Sequence, residues 1–105
     1  MSKSQITSNP DWLRNSHAGE LLVSEFMEPL NLTDTALATS LGIAPLRLRG
    51  VISGKARIDA DLDLRLARYF QMSEGFFLWL QIDHELLEAK RALNGELDRI
   101  LPRAA

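Results

Sequence analysis

The chain of 105 residues contains no cysteine, and this absence removes several classes of site. Without thiols there is no disulfide framework, no thiolate nucleophile and no zinc finger of the usual kind. The two histidines, His17 and His84, lie far apart, and neither has a serine or aspartate at a spacing that suggests a catalytic triad. The sequence therefore predicts a protein that is not an enzyme and that uses no metal and no cofactor.

Long apolar runs and a phosphate-binding glycine loop are also missing. No segment approaches the roughly 20 apolar residues that cross a bilayer, and no basic, apolar leader opens the chain. The six glycines are scattered along the sequence. Asp59, Asp61 and Asp63 lack the glycine and later glutamate of a calcium loop, and they fit a helix start instead. We expect a cytoplasmic protein with no membrane partner and no small-molecule substrate.

The apolar residues that are present recur at helical spacing. We predict a flexible N-terminal arm (residues 1–16), one domain (17–93) and a C-terminal tail (94–105). Within the domain we predict five helices and no strand. The predicted bounds are Gly19 to Met27, ending before Pro29; two helices between Thr33 and Gly54; one capped by Asp59; and one capped by Ser73, which continues from Ile82 to Leu93 until Asn94-Gly95 breaks it.

The segment from Thr33 to Gly54 predicts two short helices joined by a tight turn. Thr33 suits an N-cap, and Gly42 suits the left-handed C-cap that follows the first helix. Pro45 suits the first turn of the second helix, because its missing N–H has no partner there. Ala38 is small enough for the helices to cross closely. Prokaryotic helix-turn-helix repressors share the spacing of Ala38, Gly42, Leu48 and Val51.

Charge is distributed unevenly around this segment. The whole chain has a net charge of −2, yet residues 44–58 contain four basic residues and no acid. Because salt screens distant acids, a local basic patch can attract the phosphate backbone of DNA in spite of the net charge. Alternatively, these residues simply solvate a loop and a helix face. They are Arg47, Arg49, Lys55 and Arg57.

Short motifs in a fixed order extend this pattern over about residues 17 to 88. They are His17-Ala18-Gly19-Glu20 with Leu21, Ala38 to Gly42, Gly54-Lys55, Leu64-Arg65-Leu66-Ala67-Arg68-Tyr69-Phe70, and Ser73 to Gln81. In order and spacing they resemble the HigA/VapI group of antitoxins, within the Xre/Cro helix-turn-helix superfamily. The resemblance implies an all-α, lambda-repressor-like domain, usually dimeric, that represses its own operon and neutralises a HigB-like ribonuclease toxin.

The same resemblance implies which side chains meet DNA. Arg49 is the best candidate to read a base, because its paired donors match guanine O6 and N7, while Leu46 could touch a thymine methyl. Arg47, Lys55 and Arg57 suit phosphates, which fix register. Alternatively, Arg47 pairs with Asp63 or another acid, and Lys55 and Arg57 are solvated. The positions expected to face the major groove are Ala44, Pro45, Leu46, Arg49 and Ser53.

Two residues of the helix-turn-helix depart from the family pattern. Asp34 replaces a neutral residue near phosphate, and its carboxylate would repel the DNA backbone. Gly50 stands where a side chain commonly faces the groove, and it costs the helix about 1 kcal/mol relative to alanine. Two alternatives therefore stand beside the antitoxin: a stand-alone Xre-family transcriptional regulator, and a helical protein-interaction module whose DNA binding has decayed.

Apolar residues in excess of one small core indicate a partner surface. Phe77 and Trp79 are candidates for an interface, with core packing as the alternative. Trp12 in the arm could pack on the domain, or it could contact a toxin and become ordered on binding. The expected partners are double-stranded DNA of the protein's own operator, a HigB-like toxin and a second copy of the chain.

Overall fold

The computed structural model of the protein describes residues 15–104. Within that range the chain forms no strand, so the predicted all-α fold with five helices is confirmed. A π-helix (Leu22–Met27) and a 3-10 turn (Glu28–Leu30) continue the first helix, and a second 3-10 turn (Glu96–Arg99) follows the last. The α-helices are α1 (Ala18–Leu21), α2 (Asp34–Leu41), α3 (Pro45–Ile52), α4 (Ala60–Phe70) and α5 (Phe76–Leu93).

The predicted N-terminal arm, including Trp12, lies almost wholly outside the described residues. Asn15, near the end of that predicted arm, is joined to α5. Its side-chain amide donates to the backbone carbonyl of His84 at 3.1 Å and to the carboxylate of Glu88 at 2.9 Å. The chain is therefore attached to α5 before α1 begins.

A histidine caps the first helix. His17 Nδ1 accepts hydrogen bonds from the backbone N–H groups of Gly19 at 3.0 Å and Glu20 at 3.3 Å. In return, the Glu20 carboxylate accepts the backbone N–H of His17 at 3.1 Å. This capping box satisfies donors that the first turn leaves without partners. The helical path ends at Asn31, in the left-handed region with a φ of 54°, just beyond Pro29.

The tight turn of the helix-turn-helix forms as predicted. Thr33 Oγ1 caps α2 by accepting the backbone N–H of Ala36 at 3.0 Å. Gly42 ends α2 with a φ of 73°, a conformation that a Cβ would penalise. Ala38 is completely buried, and its carbonyl accepts the N–H of Ile43 at 3.0 Å to close the turn.

Phe77 lies at the centre of the core, and its side chain is completely buried. Its ring centroid is 5.0 Å from that of Phe26 and 5.1 Å from that of Phe76. Of the two interpretations of Phe77, an interface or core packing, the structure therefore shows core packing. The same buried cluster contains five leucines that are at most 1% exposed: Leu22, Leu37, Leu48, Leu62 and Leu66.

The start of α5 differs from the prediction, because Ser73 does not cap it. The helix begins at Phe76, and the cap is the buried Asp63 of α4. Asp63 Oδ1 accepts the backbone N–H groups of Phe77 at 2.8 Å and Leu78 at 3.0 Å, while Oδ2 accepts that of Gly75 at 2.6 Å. Local capping rules miss this arrangement, because Asp63 precedes Phe77 by 14 residues.

The first helical path does not stop at Met27 as predicted but continues as a 3-10 turn that contains Pro29, which is tolerated because it lies in the first turn of that segment. The start of α4 and the end of α5 agree with the sequence. Asp59 caps α4 by accepting the N–H of Leu62 at 2.8 Å. At the other end of the domain, α5 stops at Asn94, which is left-handed with a φ of 38°. No helix within residues 15–104 combines the length and apolar character needed to cross a membrane.

We predict that Asp63→Ala lowers the free energy of unfolding by about 3 kcal/mol, because three backbone N–H groups lose a charged acceptor. Asp63→Asn keeps one acceptor oxygen and should lose about half as much. The exposed Asp61 of the same helix is the matched control, and Asp61→Ala should leave stability nearly unchanged. Denaturant unfolding followed by circular dichroism measures all three. A loss for Asp63→Ala no larger than that of Asp61→Ala would contradict this role.

Candidate nucleic-acid interface

Helix α3 turns one face to the core and the other outward. Leu48 and Val51 are buried, whereas Leu46 is 77% exposed and Arg49 is also exposed. This division follows from the 3.6-residue period, which separates positions 48 and 51 from positions 46 and 49. Ala44 and Ser53 are exposed at the two ends of α3, and Pro45 is half-buried.

Glycine 50 faces the loop that follows α3. Its carbonyl accepts the backbone N–H groups of Lys55 at 2.9 Å and Ala56 at 3.0 Å. A Cβ added to Gly50 would lie 3.4 Å from the Cβ of Ala56. The space that a side chain at position 50 would occupy therefore lies beneath this loop, so the glycine removes little contact surface from the outward face of α3.

A buried glutamine attaches the other end of the loop to α5. The side chain of Gln81 accepts the backbone N–H of Ile58 at 2.7 Å and donates to the Ile58 carbonyl at 3.0 Å. Ile58 itself is buried. The loop that carries Lys55 and Arg57 is thus fixed between α3 and α5. In the sequence, the signal for this contact is a lone amide after the apolar run that opens α5.

The first helix fixes the far end of α3 by close packing. A Cβ on Gly19 would lie 2.0 Å from the carbonyl oxygen of Val51, a distance that no side chain tolerates. At the end of α3, Gly54 has a φ of 83°, and a Cβ there would lie 3.0 Å from Nε2 of His17. The orientation of α3 is therefore set by direct contact between backbones.

Carboxylates from distant parts of the chain compensate most of the basic patch. Arg47 pairs with Asp59 at 2.9 Å and with Asp61 at 3.1 Å, so it pairs with acids as one reading allowed, although not with the buried Asp63. The other pairs are Arg49 with Asp34, Nε to Oδ2 at 3.0 Å, and Arg57 with Glu85. Lys55 makes no ion pair with any residue from 15 to 104. The patch is therefore not four isolated charges.

Two of the paired acids have a pKa below the ordinary value of an aspartate. The hydrogen bond from Arg49 is the main cause that lowers the pKa of Asp34 below its ordinary value. Hydrogen bonds from Arg65 and then from Arg47 lower the pKa of Asp61. Because the partners are exposed, each pair contributes little to stability. An incoming phosphate could therefore replace a carboxylate at a small cost in free energy. The negative charge of Asp34, which the sequence predicted to repel DNA, is balanced by Arg49.

An apolar stripe runs along the outer face of α5. Trp79 is 60% exposed, so it lies at the surface while its neighbour Phe77 lies in the core. The exposed residues recur at intervals of three, four and seven, which places them on one side of the helix. They are Trp79, Ile82, Leu86 and Leu93.

Comparisons with known proteins agree with this architecture, although no family model matches the chain. Virulence-associated protein I of Dichelobacter nodosus is 35% identical over 75 residues, which are 71% of this chain and 69% of that protein. An uncharacterized HTH-type transcriptional regulator of Haemophilus influenzae is 30% identical over 86 residues, which are 80% of each chain.

Solved structures share the helical arrangement over most of the chain. PA4674 of Pseudomonas aeruginosa in complex with its operator DNA gives a TM-score of 0.77 at 31% identity, covering 85% of this chain and 95% of that chain. Antitoxin HigA of Pseudomonas aeruginosa with the higBA promoter gives 0.72 at 28% identity, covering 85% and 97%. With the tight turn and the outward face of α3 described above, these likenesses establish that the chain belongs to the HigA/VapI family of the Xre/Cro helix-turn-helix superfamily.

Proposed function

We propose that the protein is a sequence-specific DNA-binding antitoxin of a type II toxin-antitoxin module. In this role it represses its own operon and neutralises a HigB-like ribonuclease toxin. The observation that carries the DNA-binding part is the outward display of Leu46 and Arg49 on α3, beside a fixed loop that bears Lys55 and Arg57. Two of the similar structures were solved with operator or promoter DNA, which supports DNA as the partner.

In this proposal the exposed residues contact different parts of the DNA. Arg49 reads guanine through its paired donors, and Leu46 packs against a thymine methyl. Arg47, Lys55 and Arg57 bind phosphates and set the register of α3 in the major groove. The remaining groove positions, Ala44, Pro45 and Ser53, keep the start and end of α3 close to the DNA surface.

A homodimer completes the operator reader, because helix-turn-helix proteins commonly bind two half-sites with two copies. The apolar stripe of α5 is the surface that a second copy would cover. Trp79 anchors this interface, since large aromatic side chains dominate the energy of protein contacts.

A stand-alone transcriptional regulator is the second candidate function. It is favoured by the names of the Haemophilus influenzae relative and of YbaQ of Escherichia coli, which describe regulators. The two candidates use the same DNA surface and differ in the toxin. The third, an interaction module without DNA binding, is favoured by the ion pairs of Arg47, Arg49 and Arg57.

Operator binding tests the DNA surface. In fluorescence anisotropy with the duplex upstream of the gene, Arg49→Ala should weaken binding at least tenfold and relax the preference for one base pair. Lys55→Ala should weaken binding to all sequences and reduce the salt slope by about one. Arg99→Ala, which removes an exposed arginine from the C-terminal 3-10 turn, is the control and should change neither. No complex at low ionic strength would refute DNA binding.

Sedimentation equilibrium tests the dimer. Trp79→Ala should raise the dissociation constant of the dimer about 30-fold, the effect expected for a central aromatic anchor. Leu64→Ala removes a similarly exposed side chain from α4 and should leave the constant unchanged. A wild-type protein that stays monomeric at micromolar concentration would exclude the dimer.

Growth rescue tests whether the protein neutralises a toxin. We expect the small reading frame beside the gene to arrest growth when it is induced alone, and co-expression of this protein to restore growth. Arg49→Ala should rescue equally well, because reading a base and binding a toxin require different surfaces. If the wild-type protein does not restore growth, the stand-alone regulator is the better description.

A further inference from the structure

We propose that Asp34 is a specificity-determining residue that positions Arg49. It holds the guanidinium by one edge so that the other edge faces guanine. This inference rests on the proposed function and adds a second residue to its base reader, one that does not itself touch DNA.

The hydrogen bonds of Arg49 occupy one edge of its guanidinium. Nε donates to Asp34 Oδ2 at 3.0 Å, and Nη2 lies 3.4 Å from Thr35 Oγ1. The Thr35 hydroxyl is in turn 3.3 Å from Asp34 Oδ1. A guanidinium has five N–H donors, so among residues 15–104 Nη1 and the outer N–H of Nη2 are left without a hydrogen-bond partner. These two nitrogens form the end-on fork that matches guanine O6 and N7.

Other arginines of the patch are held differently. Arg47 contacts its two aspartates through Nη2, and Arg57 contacts Glu85 through Nη1, so terminal nitrogens carry these pairs. Arg49 is held through Nε, and its side chain remains 49% exposed. Its ion pair therefore constrains the guanidinium and still presents a fork to a ligand, as a base reader requires.

We call the contact between Asp34 and Arg49 the brace, and the position of Asp34 limits the freedom of this contact. It is the first residue of α2, directly after the Thr33 cap, where the helix dipole favours a carboxylate. Arg49 reaches it from α3 across the corner of the helix-turn-helix. A side chain ordered before binding loses less freedom when the complex forms, and this preorganisation favours the base that fits.

The opposing idea is that Asp34 competes with DNA for Arg49. The two ideas predict opposite changes in discrimination, defined as the dissociation constant for a substituted operator divided by that for the operator. Loss of a brace lowers this ratio, whereas loss of a competitor raises it. A general electrostatic effect changes affinity for all sequences and leaves the ratio alone.

The experiment begins with single guanine substitutions across the operator. The guanine that matters is the one whose replacement weakens the wild-type protein but not Arg49→Ala. At that position, we expect Asp34→Ala to reduce discrimination about tenfold, while binding to unrelated DNA stays equal or becomes tighter. Asp34→Asn keeps an acceptor for Nε and should fall between the two. Thermal melting confirms that each variant is folded.

Two controls isolate the brace. Asp61→Ala removes another exposed carboxylate that pairs with arginine, and it should leave discrimination unchanged. Asp34→Ala should also have no effect on discrimination when Arg49 is already alanine. Unchanged or increased discrimination in Asp34→Ala, with a selective wild type, would overturn the proposal. Failure of the wild type to bind any duplex would instead refute DNA binding, and the role of Asp34 with it.

Discussion

The rest of the architecture depends on the hydrogen bonds that the buried carboxylate of Asp63 accepts. By accepting three backbone N–H groups, it fixes where α5 begins and joins α4 to α5. That start sets the angular position of every later residue of α5. Gln81 then faces Ile58 and holds the loop, while Trp79 faces outward. One capping interaction therefore sets the position of both the loop proposed to face DNA and the proposed partner surface.

Local patterns in the sequence predicted the helix-turn-helix well, because its determinants are near neighbours in the chain. Thr33, Gly42 and Asp59 act within three or four residues of the groups they affect, and capping rules describe such contacts. The cap from Asp63 joins residues 14 positions apart, and the hydrogen bonds between Gln81 and Ile58 join residues 23 positions apart. Pattern rules cannot reach such contacts, which depend on how the helices pack.

The charge of the candidate site shows the same limit. A window over residues 44–58 counted only cations, since Asp34 and Glu85 lie outside it. Packing brings those carboxylates next to Arg49 and Arg57. The exposed faces of α3 could be predicted from periodicity, but the partners of its arginines could not.

In the proposed function, ion pairing limits how strongly the arginines of the patch attract DNA in general. Non-specific affinity depends on uncompensated positive charge, and among the four patch residues Lys55 is the one that makes no ion pair with residues 15–104. In the same proposal, each paired arginine exchanges a carboxylate for a phosphate or a base, so its net gain from DNA is smaller than that of an unpaired arginine. Because these pairs are exposed, the exchange itself is inexpensive. In the proposed function, the acidic partners thus lower affinity for DNA of every sequence, and Asp34 in addition preserves the preference for the matched site.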